Sequence, residues 1–361
     1  MSHPLSPGAT IGILGGGQLG RMLALSAAPL GLNCHIYCPD EASPAFNVSS
    51  QVTCAPYEDV DALDRFAASV DVVTYEFENV PDATAARLST YVPVHPDPAI
   101  LSITQDRVTE KQFLEKQGVV VASWAQVDSL RDLEAAVEQI GRPAILKTRR
   151  FGYDGKGQTT IGPKDDIRQA YEAIGAAPAV LEAMVPLECE VSLIAARAQS
   201  GEFRAYDVAE NLHENHILKT STVPASIPAE LQAQAFEIGH KIADAFGYVG
   251  VLGVELFVTG QGDEARLLVN EIAPRVHNSG HWTQNACAIS QFEQHIRAIA
   301  GWPLGDPERH SDVVMTNLLG NEADDWERLA AQKATGVHLY GKAEARTGRK
   351  MGHVNVLSPR R

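Results

Sequence analysis

Residues 143–161 read PAILKTRRFGYDGKGQTTI, and the organisation of the whole chain turns on them. Ala144, Ile145 and Leu146 predict a short buried strand ending at Lys147, and Thr159 to Ile161 predict its return. Between them Arg149, Arg150 and Lys156 add positive charge, while Gly152, Gly155 and Gly157 space it along a pliant loop. Glycines let backbone N–H groups approach a ligand closely, and such a nest beside fixed cations suits a polyphosphate. The plainer alternative is an ordinary solvated hairpin. Four cations and three glycines in a chain of net charge −15 favour the phosphate reading.

That charge argues against a general nucleic-acid binder, and it means an anionic ligand must find local cationic pockets. At 361 residues the chain predicts two or three domains. No apolar run approaches the ~18 residues of a membrane span. The opening MSHPLSPGAT has neither the basic start nor the apolar core of a signal peptide, which predicts a cytoplasmic protein. Cys34, Cys38, Cys54, Cys189 and Cys287 are odd in number and scattered, as in a reduced compartment.

Outward from the central hairpin, the first hundred residues predict a small α/β domain. A strand at 11–14 runs into Gly15-Gly16-Gly17-Gln18-Leu19-Gly20 and a helix over 21–30, so a G-x-G-x-x-G turn lies between strand and helix. Read alone it suggests a dinucleotide-binding dehydrogenase, with Asp40 as a late ribose-binding acid. Glu76 follows the strand at 70–75, where open α/β sheets collect ligands; a solvated loop acid is the alternative. Residues 92–98 read as a Pro-rich linker and 105–117 as a helix carrying Arg107 and Lys111. Residues 210–216, ENLHENH, read as a polar loop.

Glu255 interrupts one apolar strand (250–258), and Asn270-Glu271 interrupts the next (266–272). Carboxylates on buried strands are costly unless paired or bound to a cation. Two on adjacent strands suggest magnesium, with salt bridges to Arg266 or Arg275 as the alternative. Near the end, Lys342, Arg346, Arg349 and Lys350 form either a solvated basic turn or a phosphate clamp.

The motifs GILGGGQLGRM (12–22), TYEFENVP (74–81), QDRVTEK (105–111), PAILKTRRFGYDGKGQ (143–158), EAMVPLECEVS (182–192), ENLHENHIL (210–218), GVLGVELFV (250–258), NEIAPRVHNSGHWT (270–283) and LYGKAEARTGRKMGHVN (339–355) occur in this order. Together they resemble the ATP-grasp superfamily and, within it, the 5-(carboxyamino)imidazole ribonucleotide synthase family. The resemblance implies a Rossmann-like pre-grasp α/β domain (1–100), an ATP-grasp module (101–300, lid 121–185) and a small β-rich C-terminal domain (301–361). It implies ATP and bicarbonate as substrates with Mg2+ as cofactor, and an ATP-dependent carboxylation of aminoimidazole ribonucleotide through carboxyphosphate.

Residue by residue, the resemblance places Arg107 and Lys147 at the phosphates under the loop Gly152, Tyr153, Asp154, Gly155, Lys156, Gly157 and Gln158. Glu182, Ala183, Met184 and Val185 would hold the adenine edge, Glu190 the ribose, and His213 would stand near the phosphates. Glu255 and Glu271 would bind the metal, with Asn270 or water completing its shell, because Ala273 stands where many relatives carry Asn. Gln18, Leu19, Glu76, Tyr153 and Asp154 would meet the imidazole ribonucleotide, Lys342 and Arg349 its phosphate, and Arg275, His277 and Asn278 the bicarbonate. Asp154 is the expected proton acceptor. Lys156 replaces the Arg common in relatives and so gives up bidentate geometry. A homodimer that hands its product to a separate mutase is expected by the same analogy. Competing functions are a formate-dependent transformylase, the dehydrogenase suggested by the first turn, and a non-catalytic nucleotide sensor.

Overall fold

The computed structural model describes residues 3–152 and 155–361. Near-continuous apolar runs build the first sheet from β1 (Thr10–Leu14), β2 (Asn33–Tyr37), β3 (Gln51–Thr53) and β4 (Val72–Tyr75). Its order is β3-β2-β1-β4 and every pairing is parallel. Helices α1 (Gln18–Ala27), α2 (Val60–Ala67) and α3 (Asp82–Leu88) pack around it. The glycine-rich turn lies at the carboxyl end of β1, as expected.

Residues 92–97 lie outside any helix and the helix expected over 105–117 is present as α5 (Arg107–Lys116), but a further helix that the sequence did not suggest, α4 (Pro98–Thr104), stands between them. Asp106 makes the break, because its side chain accepts from Val108 N and caps α5.

The segment expected as the lid holds β5 (Trp124–Val127), α6 (Leu130–Ile140), β6 (Ala144–Thr148), β7 (Gln158–Ile161), α7 (Ile167–Ala173) and β8 (Ala179–Ala183). Its antiparallel sheet has the order β5-β8-β6-β7, and β6–β7 is the hairpin read from the sequence, with Lys147 opposite Gln158. Leu146, Ile161 and Leu181 bury their side chains against Leu133 and Val137 of α6.

The rest of the chain forms one nine-stranded sheet. Its strands are β9 (Leu187–Arg197), β10 (Phe203–Ala205), β11 (Ala209–Glu214), β12 (Ile217–Val223), β13 (Gly250–Thr259), β14 (Arg266–Ala273), β15 (Ser311–Leu319), β16 (Thr335–Leu339) and β17 (Lys350–Pro359). The order is β14-β13-β9-β11-β12-β15-β17-β16, with β10 against β9. The expected polar loop at 210–216 is thus a β-hairpin, turned at Asn215 and His216, both at positive φ. The strands of 301–361 continue the same sheet through the β12–β15 pairing.

Helices α8 (Ala229–Ala245), α9 (Thr283–Ala286), α10 (Gln291–Ile299) and α11 (Trp326–Ala330) complete the fold. One buried cluster joins Ile11 and Ile36 of the first sheet to Ile194, Val251, Phe292 and Met315. His295 ties the same layers together: it accepts from Val251 N at 3.0 Å, so its other nitrogen donates to Thr74 Oγ1 at 2.8 Å. None of the helices among the described residues is long and apolar enough to cross a membrane.

Candidate active site

The lid and the large sheet face each other across a cleft of about 700 Å³, which the first domain closes at one end. Lys147 enters from β6, almost buried. Its Nζ lies 2.8 Å from Glu182 Oε2 on β8, and Lys111 Nζ of α5 lies 3.0 Å from Glu182 Oε1. Burial pushes the Glu182 carboxyl up, but Lys147, Lys111 and Arg107 outweigh it and hold it at about 2. The triplet of two lysines and one carboxylate keeps one net positive charge beside the cleft. Glu182 was expected at an adenine edge. With its carboxylate taken by lysines, only its backbone is left for that task, beside cleft-lining Ala183, Met184 and Val185.

Gly152, Gly155, Lys156 and Gln158 line the cleft, while Tyr153 and Asp154 lie outside the described residues. Gly157 does not line it: at φ +71 it packs on Thr148, whose Oγ1 would be 2.5 Å from an added Cβ. Gly155, at φ +77, leaves room for His216 of the β11–β12 turn, since a Cβ there would lie 2.6 Å from His216 Cβ. Arg149 and Arg150 do not supply cleft charge as expected. Arg149 makes a forked pair with Asp106, and Arg150 donates to Gln105 Oε1 at 2.6 Å, which anchors the lid to the α4–α5 junction.

On the opposite wall Glu255 and Glu271 face each other in register across β13 and β14. The expected alternative partners, Arg266 and Arg275, do not take them. Arg107 donates to Glu271 Oε2 at 3.0 Å, and His277 Nε2 lies 3.0 Å from Glu255 Oε1. Burial opposes ionisation of Glu255, yet His277, His213 and Lys350 hold its carboxyl below the ordinary range. Asn270 Oδ1 beside them is buried with no hydrogen-bond partner. Two carboxylates and an orphaned amide oxygen make an all-oxygen donor set of the kind magnesium takes alongside phosphate oxygens. No group of three or more His, Cys, Asp and Glu poised for a metal occurs among the described residues. His213 Nδ1 lies 2.8 Å from Glu190 Oε2, and this contact outweighs burial and raises the imidazole above its ordinary value.

At the first-domain end, Gln18 and Leu19 line the cleft. Glu76 also reaches it, but its carboxylate accepts from Gly17 N and, at 2.6 Å, from Gly20 N. Those are the N–H groups a dinucleotide-binding turn offers to a pyrophosphate. An internal carboxylate fills that place here, so the turn is not a nicotinamide site. Burial raises the Glu76 carboxyl, and the two N–H donors oppose the rise.

Arg275 makes a forked ion pair with Glu78, with its second N–H donating at 2.9 Å. Burial alone would raise the Glu78 carboxyl; Arg275 instead brings it to about 2. His277 and Asn278 line the cleft beside Arg275, and Asn278 exchanges two amide hydrogen bonds with Asn317 of β15, at 2.8 and 3.0 Å.

Lys342 and Arg349 do not line the cleft. Lys342 donates to Lys350 O at 2.7 Å and Arg349 to Glu344 O at 3.0 Å. Lys350, the first residue of β17, lines it instead. Sequence reasoning gave no site role to Glu78 or Lys111, and Lys350 entered only as one member of the basic run that offered a phosphate clamp. Glu78 and Lys111 stand inside quoted motifs, within a few residues of Glu76 and Arg107, and that was their only signal.

Comparison with known proteins accords with this geometry. Residues 8–105 match the ribonucleotide synthetase preATP-grasp domain, 112–292 the ATP-grasp domain, and 313–361 the phosphoribosylaminoimidazole carboxylase C-terminal domain. The N5-carboxyaminoimidazole ribonucleotide synthase of Brucella melitensis is 52% identical over 99% of this chain and 98% of its own length. The solved structure of an N5-carboxyaminoimidazole ribonucleotide synthetase in its ADP complex superposes with a TM-score of 0.95 at 43% identity, covering 99% of this chain and 94% of the other. The Aspergillus clavatus enzyme, solved with ADP and 5-aminoimidazole ribonucleotide, gives a TM-score of 0.90 at 30% identity, over 97% and 94% of the two chains. The chain therefore belongs to the N5-carboxyaminoimidazole ribonucleotide synthase family of ATP-grasp ligases.

Proposed function

We propose that the cleft carboxylates 5-aminoimidazole ribonucleotide with bicarbonate at the expense of ATP, in purine biosynthesis. The observation that carries this reading is the convergence of Lys147, the Glu255–Glu271 pair and Arg275 on one cleft that ends at Gln18 and Leu19. A bicarbonate oxygen attacks the γ-phosphorus as the bond to the β-phosphate oxygen breaks, giving carboxyphosphate and ADP. Such a transfer asks for alignment and charge neutralisation rather than a protein nucleophile. Arg107, Lys147 and the loop at 152–158 supply the cations. Glu255, Glu271 and Asn270 would hold magnesium, which when bound neutralises phosphate charge.

Arg275, with His277 and Asn278, holds the bicarbonate. Carboxyphosphate is short-lived in water, so the loop must exclude solvent until the amine of the imidazole attacks. That attack forms the C–N bond, breaks the bond to phosphate, and passes the amine proton to Asp154, the acceptor expected from sequence. The backbone of 182–185 serves the adenine edge, and Glu190 the ribose. Gln18, Leu19 and Tyr153 face the imidazole ribonucleotide, with Glu76 setting the turn that presents them. Its phosphate falls to the basic segment of Lys342 and Arg349, through Lys350 at the cleft.

A cytoplasmic homodimer that releases its product to a separate mutase belongs to the same reading, by family likeness. The test is ADP release with aminoimidazole ribonucleotide, with and without bicarbonate. Bicarbonate-dependent release supports the reading, and formate-dependent release shifts it to a transformylase. Asp154→Asn with normal carboxylation would remove the proton-acceptor role.

A further inference from the structure

His277 is held from behind by a buried chain of polar side chains that all donate in one direction. The imidazole stands at the N-terminus of the short turn Asn278–Gly280, and Ser279 N approaches its Nδ1 at 3.4 Å. An amide N–H only donates, so Nδ1 carries a lone pair. The Ser279 hydroxyl lies 2.9 Å from the same nitrogen and must donate to it as well. Its oxygen in turn accepts from Ser192 Oγ at 2.7 Å. Ser192 accepts from Asn211 Nδ2 at 2.9 Å, and Asn211 Oδ1 accepts from Ser221 Oγ at 2.7 Å.

The chain therefore runs from β12 through β11 and β9 to the turn. Ser192, Ser221 and Ser279 are wholly buried and Asn211 nearly so. Gln291 fixes the main chain of the same residue, accepting from His277 N at 2.9 Å and donating to His277 O at 2.7 Å. Gly253 leaves the space the ring root needs, since a Cβ there would lie 2.8 Å from His277 Cβ.

We propose that Ser279, backed by Ser192, Asn211 and Ser221, is a positioning residue that fixes His277 as the Nε2–H tautomer, a hydrogen-bond donor toward the cleft. With Nδ1 receiving two donors, the ring proton of the neutral imidazole belongs on Nε2, which faces Glu255 Oε1 at 3.0 Å. When Glu255 turns to a cation, the same N–H is left pointing at whatever anion lies beside Arg275. On the functional reading above, that anion is bicarbonate or carboxyphosphate. His277 then steadies negative charge and takes no proton from the substrate. Aligned donors polarise one another, so the buried chain strengthens its last member.

Two measurements test this. In 15N-labelled wild-type protein at about pH 8, the ring signals lost in His277→Gln identify His277. They should show Nε2 protonated and Nδ1 as an acceptor, and a proton on Nδ1 overturns the proposal. Ser279→Ala, checked for folding by circular dichroism, should bring the second tautomer into the His277 spectrum. It should also raise the KM for bicarbonate about tenfold while the KM for ATP stays within about twofold. An unchanged ring spectrum and unchanged KM values refute the positioning role. Ser192→Ala removes only the next donor and should move both readouts the same way by a smaller factor, which keeps the test available if Ser279→Ala does not fold. The kinetic arm rests on the proposed reaction, and wild-type protein lacking bicarbonate-dependent turnover would sink that reaction. The ring spectrum decides the hydrogen-bond chain independently.

Discussion

Replacing Glu182 with glutamine probes the charge arrangement behind the cleft directly. The side chains of Glu182, Lys111 and Lys147 are only 4%, 2% and 10% exposed, so Glu182→Gln strands two buried ammonium groups without a counter-charge. The carboxyl falls from an ordinary 4.5 to about 2 in the folded protein, which corresponds to ~3 kcal/mol. Breaking a buried pair by removing one partner costs a similar ~3–5 kcal/mol. Urea unfolding at pH 7 should therefore show the variant about 3 kcal/mol less stable. Because the native value is depressed, this stabilisation is complete above about 4.5 and is lost as pH falls toward 2. The gap between the two proteins should narrow across that window. Saturating ATP should also narrow it, since on the proposed reading phosphate charge then faces Lys147. A loss below about 1 kcal/mol, or a gap that ignores both pH and ATP, would refute the reasoning.

Gly17→Ala puts a Cβ 2.6 Å from Glu76 Oε1, so the carboxylate must leave the turn; thermal melts should show a loss of ~2–4 kcal/mol. Glu78→Gln frees Arg275 from its forked partner, and ADP-release kinetics should show kcat down about 10–100-fold with the ATP KM within about threefold. His281 and His353 are fully buried, and burial holds both well below the ordinary 6.5. The unfolded chain takes up protons first as pH falls, so urea midpoints should drop below about pH 6.5, before any carboxylate with an ordinary value titrates. Chelating divalent cations should abolish ADP release, and in Glu271→Gln the magnesium needed for half-activity should rise at least about tenfold.

Features carried by one contiguous motif were legible in the sequence. The β6–β7 hairpin, the strand–turn–helix at Gly15–Gly20 and the facing carboxylates of β13 and β14 announce themselves through apolar runs broken by a few glycines or acids. Partnerships across the fold were not. Arg275 finds Glu78 at a separation of 197 residues, and Glu182 gathers Lys111 and Lys147 from two different elements. Nothing local to these residues encodes the meeting, because topology decides it. The β11 strand was missed for a related reason. Its Glu210, Asn211 and His213 point to polar partners, which erases the apolar alternation a strand reading needs.

The pairing of β12 with β15 has a practical consequence for anyone dissecting the protein. Thr220 to Val223 give their hydrogen bonds to Val313 to Thr316, so a fragment ending near residue 300 would lose the neighbour of β12 and uncover Leu218 and Val223. A bare strand of that kind recruits strands from other molecules. Modules that follow one another tidily along the sequence are in this protein welded by a shared seam, and a truncated version should precipitate rather than retain part of the activity.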